Sequence, residues 1–121
     1  MIRIAVDGMG GDNGPAVVVE GAVQAANDFE HLEILLVGPT DILKAELNRH
    51  KVLGGKITIV EAPEVVGMGE SPVAALKKKK NSSIKISIDL LHKKEVDAAI
   101  SAGNTGAMVA ASTLTLGMLP G

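Results

Sequence analysis

Twice in this chain a short, mostly apolar run breaks into a turn built almost entirely of small residues and then resumes in helix-forming sequence. The first case is Ile2-Arg3-Ile4-Ala5-Val6, which ends at Asp7 and is followed by Gly8-Met9-Gly10-Gly11-Asp12-Asn13-Gly14 before Pro15. The second is Asp97-Ala98-Ala99-Ile100, which leads through Ser101-Ala102-Gly103-Asn104-Thr105-Gly106-Ala107 into Met108-Val109-Ala110-Ala111. Compact apolar runs of this kind suit parallel strands buried on both faces. Proline at a first helical position loses nothing, because that N–H would be unpaired anyway. Glycines in the turns let a ligand approach the main chain, and the unpaired N–H groups of a helix start favour negative charge, so each turn has the construction of an anion site. The plainer alternative is that Asn104 or Thr105 caps a helix and Gly106 eases its packing.

The rest of the chain alternates in the same way. Strands are expected at Glu33–Val37 and Ile57–Val60, and helices over Ala16–Ala26, from a Thr40 or Asp41 cap to about Arg49, and over Val73 to about Lys79 after Ser71-Pro72. From Ile84 the pattern fits either a strand or a helix. The Ser82-Ser83 cap, the shared face of Ile84, Ile88 and Leu91, and the basic end at His92-Lys93-Lys94 favour the helix. A last helix is expected after the second glycine turn. Four strands alternating with helices predict an α/β fold: an open, mostly parallel sheet with helices on both faces and its ligand at the carboxyl ends of the strands. Both glycine turns would lie at those ends, facing one cleft.

Composition removes several function classes. Phe29 is the sole aromatic residue and net charge is −2, which leaves no stacking platform and no basic surface for nucleic acid. With no cysteine there is no disulfide framework, thiolate metal site or cysteine nucleophile. His31, His50 and His92 are far apart with no metal spacing, and each reads as a surface residue. No run is long enough to span a bilayer, and the chain enters its first strand without a charged leader, so the cytoplasm is the default expectation. A dinucleotide fingerprint fails because Asn13 stands where a third glycine is required, and no Gly-Lys-Ser/Thr sequence supports a nucleotide P-loop. Lys77-Lys78-Lys79-Lys80 is either a solvated helix end complementing the dipole or an electropositive rim for an anionic substrate or acidic protein. Ser82 and Ser83 could cap the next helix, donate to a phosphate, or do both.

Three segments together, Asp7-Gly8-Met9-Gly10-Gly11-Asp12 with Pro15, Ser71 through Ser83, and Ser101 through Ala107, closely resemble the bacterial acyl-ACP:phosphate acyltransferase (PlsX) family. The likeness runs along the whole chain but covers only the N-terminal part of a usual member, so residues 1–121 are expected to be the N-terminal portion of a single acyltransferase domain. The resemblance implies an enzyme of phospholipid synthesis that moves a long acyl group from acyl carrier protein to inorganic phosphate, giving an acyl phosphate for a membrane acyltransferase. It implies a fold similar to the isocitrate and isopropylmalate dehydrogenases, a homodimer, no cofactor, and a cytoplasmic protein that associates peripherally with the membrane surface. Gly8 stands where the family more often has Ala, expected to loosen the loop, and Asn81 where it often has Asp. Asn104, as oxyanion donor, and Asp12, orienting the loop or a proton, are the catalytic candidates. Phosphate or substrate binding is expected from Asp7, Gly10, Gly11, Ser71, Lys79, Lys80, Ser82, Ser83, Ser101, Gly103, Thr105 and Gly106. Two other functions remain open on the residues: a non-catalytic module binding a phosphorylated ligand, and a short-chain phosphate acyltransferase acting on acyl-CoA.

Overall fold

The computed structural model of the chain describes residues 2–9, 14–65, 74 and 77–101. Its elements run β1 (Ile2–Asp7), α1 (Gly14–Asp28), β2 (Leu32–Gly38), α2 (Thr40–Leu47), β3 (Lys56–Glu61), α3 (Ser83–His92) and β4 (Ala98–Ile100). The strands form one sheet in the order β3-β2-β1-β4, and every neighbouring pair is parallel. The α/β fold expected from the alternating pattern is the one observed.

Side-chain alternation assigns the two faces. Ile34 and Leu36 of β2 pack with Val19, Ala22, Val23 and Ala26 of α1 and with Leu43 of α2. Ala5 and Val37 turn the other way, into a cluster with Ala62 and Val96 against which Ile86, Leu90 and Leu91 of α3 pack. Helices therefore cover both faces, as buried parallel strands require. Each fully buried Leu or Val in these clusters contributes about 1.5–3 kcal/mol.

The connectivity fixes where a ligand can bind. From β1 the chain steps outward through β2 to β3, then crosses back over the opposite face through α3 and inserts β4 on the far side of β1, with Ile4 opposite Ala98 and Val6 opposite Ile100. The strand order thus reverses between β1 and β4, and the crevice outside the carboxyl ends at such a point is where open α/β sheets take their ligands. Asp97 holds the register of β4. Its carboxylate accepts from the Arg3 N–H at 2.9 Å and its own N–H donates to the Arg3 carbonyl at 2.7 Å.

Two local expectations are corrected. Neither Thr40 nor Asp41 caps α2: Pro39 is the N-cap residue, no side chain caps the helix, and it ends at Leu47 before the turn through Arg49. The physical reason is Glu61 at the end of β3, whose carboxylate accepts from both the Thr40 N–H and the Thr40 hydroxyl, so the anion favoured at this helix start comes from a neighbouring strand. Gly8 does not loosen its loop. Its N–H donates to the Val37 carbonyl at 2.8 Å, which pins the start of the loop to β2, and a Cβ there would lie 2.6 Å from Leu43 Cδ2, the end of a side chain of α2. Of the helix expected over Val73–Lys79, Ala74, Lys77 and Lys78 are helical, and the expected terminal helix lies outside the described residues. Among the described residues no helix is long and apolar enough to cross a membrane.

Candidate functional site

The buried polar side chains among the described residues are Asp7, Ser82, Ser83 and Ser87. Asp7 ends β1, while the three serines cap or occupy the first turns of α3, whose N-terminus lies at the same carboxyl edge because α3 runs back across the sheet to start β4. Polar groups rarely survive burial without hydrogen bonds or a function. Asp7 lies at the topological switch and the serines at the start of α3, docked on the chain after β3, and this carboxyl edge is the candidate site.

Asp7 joins the two glycine turns. At 2% exposure, its Oδ1 accepts from the Met9 N–H at 3.0 Å, inside the first turn, and its Oδ2 accepts from the Ser101 hydroxyl at 2.8 Å, the first residue of the second. Both oxygens are thereby engaged by protein donors. The sequence places Asp7 and Ser101 among phosphate contacts; among the described residues the Asp7 carboxylate ties Met9, just after β1, to Ser101, just after β4.

The start of α3 is the second part of the edge. Ser82, in extended backbone conformation, is the N-cap, and its hydroxyl accepts from the Lys85 N–H at 3.2 Å, the geometry expected for a cap. The helix start is docked onto the chain after β3: Ser82 forms a parallel bridge with Glu64, and the Ser83 N–H donates to the Glu64 carbonyl at 3.0 Å. Ser87 donates its hydroxyl to the Ser83 carbonyl at 2.7 Å. Among the described residues the Ser83 hydroxyl is buried and has no hydrogen-bond partner. Lys79 is half-buried and donates from Nζ to the Val65 carbonyl at 2.7 Å, whereas Lys77, Lys78 and Lys80 are exposed. Four lysines therefore precede a helix N-terminus, where cations are ordinarily unfavourable and an anion is favoured.

Glu64 is the residue that sequence reasoning missed. Its carboxylate accepts from the Asn81 N–H at 3.1 Å, so a carboxylate stands beside position 81. Nothing in the irregular segment after β3 distinguishes Glu64 from other surface acids; only the pairing with Ser82 does. Gly10, Gly11, Asp12, Ser71, Gly103, Asn104, Thr105 and Gly106 lie outside the described residues. Among the described residues two apolar cavities lie elsewhere. One of about 520 Å³ involves Ile2, Ile4, Phe29 and Leu32 toward the amino ends of β1 and β2, and the other runs beside α1 along Ile4, Val6 and Ile100.

Comparison with known proteins agrees with the resemblance carried by the three motifs. The family described as fatty acid synthesis protein matches residues 2–121. A phosphate acyltransferase of Geobacter sulfurreducens is 50% identical over 120 residues, covering 99% of this chain and 34% of that protein. Phosphate acyltransferases of Clostridium beijerinckii and Clostridium botulinum (strain Loch Maree) are 42% and 43% identical, over 99% and 98% of this chain and 36% and 35% of their own lengths. The chain thus spans about a third of the length of these curated relatives.

Proposed function

From the premise that the chain belongs to the fatty acid synthesis protein family, we propose that it carries the phosphate-binding edge of a phosphate acyltransferase that transfers a long-chain acyl group from acyl carrier protein to inorganic phosphate. The observation that carries this reading is the tie at the strand switch: one buried carboxylate, Asp7, holds the turn after β1 against the turn after β4. Two glycine-rich, N–H-bearing turns held together suit an anion, and the relatives bear the name of an enzyme that uses one.

The chemistry asks little of the protein beyond placement. Hydrogen phosphate is already anionic near neutral pH, and its oxygen attacks the thioester carbonyl carbon. The carbon–sulfur bond breaks as the acyl–oxygen bond is made. The phosphate proton passes to the departing sulfur, giving acyl phosphate and the free carrier thiol. No cysteine or Ser-His pair is needed, and positioning supplies much of the rate. The backbone of Gly10, Gly11 and the Gly103-Asn104-Thr105 turn would hold phosphate, with Asn104 donating to the carbonyl oxyanion and Asp12 orienting its loop. Lys77 to Lys80 would steer an acidic carrier protein toward the edge. Association with the membrane surface and a dimeric assembly belong to the same proposal and rest on the family alone.

Replacing Asn104 tests the assignment. In an enzyme carrying this segment, Asn104→Ala lowers the phosphate-dependent rate by about 10²–10³, the worth of one oxyanion donor. A rate within about twofold of the unaltered enzyme removes Asn104 from that role. Competition between acyl carrier protein and acyl-CoA as donors separates this reading from a short-chain enzyme, and phosphate binding without any thiol release would instead identify a binding module.

A further inference from the structure

We infer that the α1 face of the sheet carries a groove for the acyl chain, running from the carboxyl edge beside Asp7 and Ser101 to the amino ends of β1 and β2. This deepens the proposed acyl transfer and rests on it. Alternation along β1 turns Ile2, Ile4 and Val6 to one side, and Ile100, opposite Val6 on β4, continues that side. α1 covers only part of this strip. Ile2 and Ile100 remain 58% and 53% exposed, and Phe29, just past the end of α1, is 64% exposed. Two cavities of about 520 and 240 Å³ lie along it, and Ile4 and Leu32 line both. On the helix side the wall is cut back: Gly21 and Ala25, one turn apart on α1, line the smaller cavity, and a Cβ on Gly21 would meet nothing within 4 Å.

Length and polarity choose the occupant. From Val6 back to Ile2 the strand advances roughly 13 Å, and from Val18 to Phe29 the helical side advances roughly 17 Å. At ~1.3 Å per carbon of an extended chain, set by ordinary carbon–carbon bonds, that distance takes about 10–13 methylenes. The two mouths of the groove are unlike. Val6 and Ile100 immediately precede Asp7 and Ser101, the two partners of the tie, so the carboxyl mouth opens at the edge assigned to phosphate. Asp28 and Glu30 stand at the amino mouth, where their charge repels an anionic head. A ligand with an anionic head and a long unbranched tail therefore has one favoured direction, head at the carboxyl edge and tail toward Phe29. The fatty acyl group of the proposed reaction is a ligand of this kind.

Calorimetric titration of the 121-residue chain with hexanoate, octanoate, decanoate and dodecanoate, each below its micelle concentration, reads the groove without any acyl transfer. Affinity rises about fourfold for each added methylene that is buried and levels off near the length of the groove. Gly21→Phe puts a ring into the open space beside α1. It leaves the melting temperature unchanged or higher, because glycine is a poor helix residue, yet weakens dodecanoate binding about tenfold or more. Leu53→Ser, at an exposed apolar residue outside both cavities, leaves that affinity as it was. The inference is overturned if affinity does not rise with chain length, or if Gly21→Phe binds dodecanoate within about twofold of the unaltered chain, as expected of a face that another stretch of protein covers. Because the titration needs neither phosphate nor carrier protein, the groove and the acyl-transfer reading fall in separate experiments.

Discussion

At the scale of single residues, Asp7 does the most with the least freedom. It stands at the end of β1, is almost fully buried, and receives donors from two loops that are 94 positions apart at Ser101 and two apart at Met9. Asp7→Ala removes the acceptor of the Met9 N–H and of the Ser101 hydroxyl and is expected to cost about 1–3 kcal/mol. Urea unfolding checks it, and an unchanged midpoint would mean that the tie carries no weight. Two glycines give a graded comparison. A Cβ at Gly55 would lie 2.5 Å from the Leu32 carbonyl oxygen and 2.8 Å from that of Ala26, whereas at Gly8 the closest atom is the end of the Leu43 side chain. Backbone cannot give way as a side chain can, so Gly55→Ala costs more than Gly8→Ala, the latter falling within the 1–3 kcal/mol or so of ordinary overpacking. The reverse order in paired denaturant melts would contradict this packing account. Asp7 and Ser101 were legible in the sequence as members of a polar edge, but their mutual bond was not, because neither residue carries a local sign that a partner 94 positions away completes it.

At the scale of elements, the clearest sequence signals were those in which local chemistry and tertiary packing agree. Ser82 caps α3 as its side chain predicts, and Ile84 and Ile88 are buried on the helical face that decided helix over strand. The start of α2 was misread because Thr40 has the right side chain for a cap while Glu61, from a different strand, supplies the acceptor instead. That competition is tertiary and leaves no trace in the window around Thr40. The lysine run is an element-scale feature too, since Lys77, Lys78 and Lys80 are exposed beside a helix N-terminus that already favours anions. If it steers an acidic acyl carrier protein, raising salt from about 0.05 to about 0.3 M lowers kcat/KM for that donor several-fold by shortening the screening length, with kcat little changed. A salt-insensitive kcat/KM would assign the run to helix solvation alone.

At the scale of the whole molecule, the proposed function rests on topology. Alternating apolar runs announced a parallel α/β sheet, and the sequence put both glycine turns at carboxyl ends. What it could not give was strand order, because nothing in residues 98–100 says that they insert beside β1 rather than beyond β3. That placement, made by the return of α3 across the opposite face, brings Met9 and Ser101, the described starts of the two turns, together on Asp7 at one switch point. The chain spans about a third of the length of its curated relatives, and under the proposed function this edge would contribute the phosphate. The most direct test is release of free thiol from long-chain acyl carrier protein by an enzyme carrying this segment, followed with and without inorganic phosphate and with hydroxylamine trapping the acyl product. The account predicts thiol release that requires phosphate and yields a trapped acyl hydroxamate. Release that proceeds equally well without phosphate, or phosphate binding with no release at all, would contradict it.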